Sequence, residues 1–188
     1  MLILASQSPR RKEILANAGF HFEVRVPGVE EIRRNGESAE EYVERLARAK
    51  ALAAARDGAE WVLAADTTVV CEGSILEKPE DAAGAARMLR MLSGRAHFVL
   101  TGVCVRHQGF SWSAVESTRV WFSPLSQDDI SRYVAGGEPM DKAGAYAIQG
   151  AASAFIPRIE GCYFNVVGLP IARVRLLLAE AGYNFSRG

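Results

Sequence analysis

Two arginines fall where a helix is predicted to begin, and cations at that place favour an anionic ligand. Ser8 is typical of an N-cap and Pro9 of a first helical residue, so Arg10 and Arg11 occupy the first turn. A helix N-terminus already has partial positive charge and free N–H groups. A phosphate docked there would bring together these N–H groups, both guanidinium groups and the hydroxyls of Ser6 and Ser8. The alternative is that both arginines extend into solvent.

A carboxylate and a lysine are predicted to lie among apolar side chains. Asp66 interrupts the apolar run 61–70, and a buried acid must be paired, bound to a metal or kept neutral. It is either functional or a structural acid that accepts backbone N–H groups at a strand end. Lys50 either reaches water or meets a partner, because it shares one helical stripe with Val43, Leu46 and Ala53.

Other polar residues carry weaker signals, and each is compatible with an ordinary solvated charge. Lys78 precedes Pro79, Lys142 lies in a loop rich in Gly and Ala, and Glu31 follows a second glutamate. The chain has no G-x-S-x-G motif, and no cysteine has an obvious histidine partner, so Ser and Cys nucleophiles have little support. Scattered cations with one or two acids suit a polyphosphate and a divalent cation, since carboxylates hold metal and orient water.

Composition excludes several classes of protein. The 188 residues include 22 Lys and Arg and 22 Asp and Glu, so the net charge is zero and a basic nucleic-acid-binding surface is not expected. No apolar run approaches a membrane span, and no secretory signal is present, which predicts a cytoplasmic protein. Cys71, Cys104 and Cys162 are odd in number without C-x-x-C spacing, which is typical of reduced thiols.

Strands and helices alternate along the chain at short spacing, which predicts an α/β fold with one mixed sheet and covering helices. The strand order cannot be derived from the pattern. Segments 155–161 and 163–168 are predicted to form a late hairpin. Five strands are predicted at 2–6, 21–26, 61–70, 97–107 and 113–122, and five helices at 9–18, 38–56, 81–92, 126–136 and 170–178.

Seven ordered blocks resemble the Maf family of nucleotide pyrophosphatases, and together they cover nearly the whole chain. The resemblance implies a single elongated α/β domain over 1–188, with a mixed sheet, flanking helices and a central cleft, as in the inosine-triphosphatase-like fold. It implies a hydrolase that depends on Mg²⁺ or Mn²⁺ and cuts nucleoside triphosphates between the alpha and beta phosphates. The blocks are LASQSPRRKEIL, RLARAKA, AADTTVV, LEKP, MLSGRAHFVLTGV, EPMDKAGAYAIQG and YFNVVGLP.

The resemblance also implies roles for particular residues. Asp66 matches the family's proton acceptor. Glu31 matches an acid of the family's metal site, and the resemblance implies that Glu31 and Asp66 both bind the metal. Gln149 lies in the block 141–150, which resembles the branch acting on dTTP and UTP, although Ala147 stands where Gly is usual. Substrate contacts are implied for Ser6, Arg10, Arg11, Lys50, Thr67, Lys78, Lys142 and Gln149, of which Arg10, Thr67 and Gln149 bear on substrate choice.

Two other interpretations remain open at this point. One keeps the reaction but changes the substrate to modified pyrimidine triphosphates or CTP. The other is a non-catalytic regulator of septum formation that binds nucleotide, a role with which the family has been associated. The expected partner is a nucleoside triphosphate, without nucleic acid or membrane, and a homodimer is implied by the resemblance only.

Overall fold

The elements are those of an α/β protein in the computed structural model, which describes residues 1–56 and 58–185. The strands are β1 Leu2–Leu4, β2 Phe22–Val24, β3 Trp61–Cys71, β4 Ser74–Leu76, β5 Ala96–His107, β6 Phe110–Trp121 and β7 Arg158–Glu160. The α-helices are α1 Pro9–Asn17, α2 Ala39–Ala54, α3 Ala82–Leu92, α4 Gln127–Ala135, α5 Tyr163–Val167 and α6 Ile171–Glu180. Short 3₁₀ turns cover Glu138–Asp141, Ala143–Ala145 and Ala151–Phe155.

Side-chain caps explain where the predicted helices begin. Ser8 accepts a hydrogen bond from the backbone N–H of Arg11 at the start of α1. Ser38 and Glu41 form a reciprocal capping box at α2. Each cap satisfies backbone N–H groups that have no partner inside the helix. The predicted starts of these two helices are therefore confirmed.

The sheet is mixed, and its strand order is β2-β1-β3-β5-β6-β7, with β4 paired to β3. β1 lies parallel to both β2 and β3, whereas β4 is antiparallel to β3 and β7 is antiparallel to β6. The predicted α/β class, with one mixed sheet and covering helices, is confirmed. Within the described residues, none of the helices has the length and apolar character that crossing a bilayer needs.

The predicted late hairpin is wrong. Residues 158–160 pair with β6, and the segment after Gly161 forms helix α5. The buried side chain of Asn165 holds α5 in place by donating to the Val99 carbonyl at 2.9 Å and to Thr118 Oγ1 at 3.0 Å. Short apolar runs such as YFNVV fit a strand or a helix by pattern alone, and here contacts with β5 and β6 decide the outcome.

The chain divides into two compact units. The first comprises Met1–Asp66, Thr101–Glu116 and Gly168–Gly188, and the second Thr67–Leu100 and Ser117–Val167. Small side chains pack the first core, and the larger second core includes Leu89, Phe122 and Tyr146. The single domain over 1–188 stays a prediction. The first core contains Ile3, Ala5, Ala47, Ala51, Ala54, Val62, Ala64 and Cys104.

His97 in the second core should make stability depend on pH. Its Nε2 lies 2.8 Å from the hydroxyl of Tyr146, only 1% of the residue is exposed, and burial lowers its pKa to about 4. An unfolded histidine takes up a proton near pH 6.5, so the unfolded state binds more protons between pH 6.5 and 4. The free energy of unfolding should therefore decrease as the pH is lowered from 6.5 to 4, by up to about 3 kcal/mol.

Denaturant unfolding at several pH values between 6.5 and 5 would measure this effect. His97→Gln should flatten the pH dependence, whereas the exposed His21→Gln should keep it. Equal slopes for wild type and His97→Gln would contradict the assignment.

Candidate active site

Lys50 joins two carboxylates in the first unit. Its Nζ lies 2.5 Å from Oδ1 of Asp66 on β3 and 2.6 Å from Oε1 of Glu31 in the segment before α2. Lys50 and Asp66 are buried, with 8% and 6% of their surfaces exposed. Of the alternatives open from sequence, Lys50 meets a partner instead of reaching water, and Asp66 is paired with a charge.

The surroundings of Asp66 favour its protonated form more than water does. It follows four fully buried residues of β3, and burial raises the pKa of its carboxyl above the usual value. Glu31 raises this pKa further, whereas the positive charges of Lys50 and Arg11 oppose the rise. A carboxylate with a raised pKa holds a proton more strongly, which suits a proton acceptor.

Arg11 faces the same acids and is held by the backbone. Its Nε donates to the carbonyl of Gly168 at 2.7 Å, and its Nη1 donates to Ser6 Oγ at 3.3 Å. Burial lowers the pKa of the Arg11 guanidinium, while the charges of Asp66 and Glu31 counteract this. We call Ser6, Arg11, Glu31, Lys50 and Asp66 the acid–base cluster.

Arg10 lies beside this cluster in the first turn of α1. It is half-buried, and its positive charge contributes to the lowering of the Arg11 pKa. The two positive charges thus repel each other, and this repulsion is unfavourable at a helix N-terminus unless an anion compensates for it. The arrangement is compatible with the predicted phosphate site.

The segment that carries Glu31 is attached to α2, the helix that carries Lys50. Arg45 pairs with Glu37 through two hydrogen bonds of 2.5 and 2.8 Å, and its Nη2 also donates to the Ile32 carbonyl. Tyr42 donates its hydroxyl to the carbonyl of Glu31 at 3.0 Å. The Arg45 hydrogen bond lowers the pKa of Glu37 to about 2. Sequence reasoning missed these supports, although Arg45 lies inside the block RLARAKA.

The remaining predicted residues belong to the second unit. Thr67 follows Asp66 on β3, and Lys78 is exposed after β4. The ammonium of Lys142 pairs with the carboxylate of Asp141. Gln149 is exposed in the loop before the last 3₁₀ turn. Their roles at a substrate, like those of Arg10 and the acid–base cluster, stay predictions.

The loop that carries Gln149 is held by two polar residues that sequence reasoning missed. The carboxylate of Glu138 accepts from the hydroxyl of Tyr133 at 2.7 Å and from the backbone N–H of Ala151 at 3.0 Å. A Cβ at Gly150 would lie 2.2 Å from Glu138 Oε1, so any larger residue there would displace this carboxylate. Ala147 is accommodated in this loop, and its N–H donates to the Tyr133 hydroxyl.

Two acids of the cluster offer oxygen donors of the kind that a divalent cation takes. Among the described residues, no group of three or more His, Cys, Asp or Glu side chains is placed to hold a metal ion. Asp66 and Glu31 nevertheless both contact one Nζ, so they offer oxygen ligands around a single point. Mg²⁺ is commonly held by one or two carboxylates together with substrate phosphates, and this donor set matches that chemistry.

The mixed sheet with its covering helices defines an α/β fold that is also found in a solved Ham1 protein. The Ham1 protein of Staphylococcus aureus has this fold, with a TM-score of 0.54 over 96% of this chain and 98% of that one, at 13% identity. A similarity at that identity concerns the fold alone. The chain belongs to the Maf family, because the family model described as Maf-like protein matches residues 1–181.

Relatives in this family are similar over nearly their whole length. A protein of Anaeromyxobacter sp. strain Fw109-5 is 55% identical over 187 residues, which cover 97% of this chain and 90% of that protein. One of Vibrio cholerae is 54% identical over 179 residues, covering 94% and 96%. Both are named dTTP/UTP pyrophosphatase. The resemblance identified from the seven sequence blocks is confirmed.

Proposed function

We propose that this chain hydrolyses dTTP and UTP at the bond between the alpha and beta phosphates, releasing a nucleoside monophosphate and pyrophosphate. This activity would serve housekeeping of the nucleotide pool. The supporting observation is the acid–base cluster, in which one buried lysine joins two carboxylates, within a chain about half identical to named dTTP/UTP pyrophosphatases.

Asp66 is the proton acceptor in this mechanism. It takes a proton from a water molecule whose oxygen bonds to the alpha phosphorus, and the bond from that phosphorus to the bridging oxygen breaks. The electron pair leaves with pyrophosphate. Burial raises the pKa of Asp66, which makes its carboxylate a stronger base than one in water.

Cationic side chains bind the phosphate oxygens. Arg11 suits this role because the Gly168 carbonyl and Ser6 already hold its guanidinium, so little reorganisation is needed when charge develops. Arg10, Lys50 and Lys78 would supply further positive charge. Asp66 and Glu31 would hold Mg²⁺ or Mn²⁺, which when bound supplies Lewis-acid stabilisation of the negative charge.

We assign recognition of the base to the loop that carries Gln149. The Gln149 side chain offers both a donor and an acceptor, which matches the imide edge of uracil or thymine. Lys142 and Thr67 would contribute additional substrate contacts. The hydrogen bonds from Tyr133 and Ala151 to Glu138 give this loop a defined conformation before substrate arrives.

A panel of triphosphates tests the activity and its metal dependence. Purified protein with Mg²⁺ or Mn²⁺ should release pyrophosphate and monophosphate from dTTP and UTP faster than from CTP, dATP or GTP. EDTA should abolish the release, and excess Mn²⁺ should restore it. Preference for CTP or a modified pyrimidine would overturn the substrate assignment. If no triphosphate yields pyrophosphate, the proposed activity is overturned and the remaining interpretation is a non-catalytic regulator of septum formation.

Replacing Gln149 by Ala should cost discrimination more than rate. The value of kcat/KM for UTP should fall about 10- to 100-fold, since a lost base contact costs about 1–3 kcal/mol. The value for CTP should change little, so the UTP-to-CTP ratio falls. The control is Gln127→Ala, an exposed glutamine on α4 of the same unit that bonds to Arg90. Equal losses for both nucleotides would remove the recognition role.

We further propose the cytoplasm as the compartment. Cys71, Cys104 and Cys162 are free thiols in the structure, which agrees with a reducing environment. The implied homodimer stays a prediction that sedimentation analysis would test.

A further inference from the structure

We propose that the ammonium of Lys50 is the resident cation of the Glu31–Asp66 pair in the nucleotide-free protein, and that a divalent cation replaces it only when nucleotide binds. In this exchange the ammonium of Lys50 would pair with a phosphate oxygen, and the carboxylates of Glu31 and Asp66 would bind the metal in its place. The inference rests on the proposed function for the identity of the nucleotide.

Lysine and metal would compete for the same two carboxylates. One Nζ lies 2.5 Å from Asp66 Oδ1 and 2.6 Å from Glu31 Oε1. A divalent cation bound by these two carboxylates would compete for those oxygen atoms, at metal–oxygen distances of about 2.1 Å. The ammonium and the metal would then be like charges a few ångströms apart beside the buried Asp66, which is unfavourable. One cation must leave for the other to bind.

The charge of the acid–base cluster also opposes the binding of a divalent cation without nucleotide. In the nucleotide-free protein, the two carboxylates of Glu31 and Asp66 are balanced by the two cationic groups of Lys50 and Arg11. Adding a divalent cation alone would leave this cluster, in which Lys50 and Asp66 are buried, with an excess of positive charge. A triphosphate carries more negative charge than one divalent cation neutralises, so metal and nucleotide together remove the imbalance.

The two cationic side chains of the cluster differ in how firmly they are held. Arg11 is held by the Gly168 carbonyl at 2.7 Å and by Ser6, so its guanidinium has a defined place on the backbone. Lys50 is a point charge on a flexible stem, and its ammonium pairs with the carboxylates of Asp66 and Glu31. The four-carbon stem of a lysine allows its ammonium to change position without movement of the helix that carries it. Lys50 is therefore the cation that is exchanged, and Arg11 is the fixed one.

Binding of Mn²⁺ to nucleotide-free protein tests the exchange, with free Mn²⁺ measured by electron paramagnetic resonance. Lys50→Met removes the competing charge and should bind one Mn²⁺ per chain at least about tenfold more tightly than wild type, within the usual range of coupling between two ligands. Lys50→Arg keeps the charge and should bind Mn²⁺ as weakly as wild type. Circular dichroism shows whether each variant is folded.

The unmodified protein supplies an independent measurement. UTP whose alpha–beta bridging oxygen is replaced by NH should raise the Mn²⁺ affinity of wild type at least about tenfold above that of nucleotide-free protein, after correction for Mn²⁺ bound to the analogue alone. Nucleotide-free wild type that binds Mn²⁺ as tightly as Lys50→Met, or as tightly as the analogue complex, would overturn the exchange. If Lys50→Met does not fold, the comparison with the analogue complex decides.

Failure of this inference can be told apart from failure of the proposed function. Pyrophosphate release from dTTP by wild type tests the reaction whatever the order of binding. The Mn²⁺ titration of nucleotide-free protein requires no turnover, so it reports on Lys50 alone.

Discussion

Asp66→Asn is expected to lower kcat for dTTP about 10²- to 10⁴-fold while the protein still folds and binds nucleotide. Asparagine has nearly the shape of the carboxylate but cannot accept the proton of the attacking water. Lys50 keeps the carboxylate of Glu31 as its partner in this variant, so the ammonium is not left buried alone. Steady-state pyrophosphate release measures the rate, and calorimetry with the non-hydrolysable UTP analogue measures binding.

The pH profile separates loss of the base from general damage. Because burial raises the pKa of Asp66 above that of an ordinary aspartate, wild-type kcat/KM should fall as the pH is lowered through that pKa. Asp66→Asn should lose this acidic limb. The matched control is Asp128→Asn, the same exchange at an exposed position of α4, which should leave the rate unchanged. Near-normal turnover by Asp66→Asn would exclude Asp66 as the base.

Gly102→Ala is expected to destabilise the first unit by at least about 1–3 kcal/mol, the usual cost of forcing an extra methyl group into a packed place. A Cβ at Gly102 of β5 would lie 2.3 Å from the carbonyl oxygen of Val43 and 2.7 Å from the backbone N of Glu44, both on α2. These are backbone atoms, so no side-chain rotation relieves the contact. Helix α2 must move away from the sheet, and it carries Lys50.

Thermal unfolding measures this cost, and Gly28→Ala is the matched control. A Cβ at Gly28 meets no heavy atom within 4 Å, so the control should keep the Tm of wild type. Gly102→Ala should lower the Tm by several degrees, since about 1 kcal/mol corresponds to 2–4 °C at this chain length. A Tm for Gly102→Ala equal to that of the control would contradict the close approach of α2 and β5.

The local elements follow from the sequence because their causes lie within a few residues. Ser38 and Glu41 are three positions apart, and they satisfy each other's backbone N–H groups wherever the rest of the chain lies. The late hairpin failed for the opposite reason. Asn165 is tied to Val99, 66 positions away, and to Thr118, 47 positions away, and no local pattern contains those contacts.

For the candidate site, the sequence alone determined which side chains need a partner. An acid inside an apolar strand and a lysine on an apolar helix stripe both carry a desolvation cost, whatever the fold. Only the tertiary structure decided that Lys50 meets Asp66 and Glu31, and that Arg11 is held by Gly168, 157 positions along the chain. A sequence displays the charge of a residue and the apolar pattern around it, whereas pairing depends on how distant strands and helices pack.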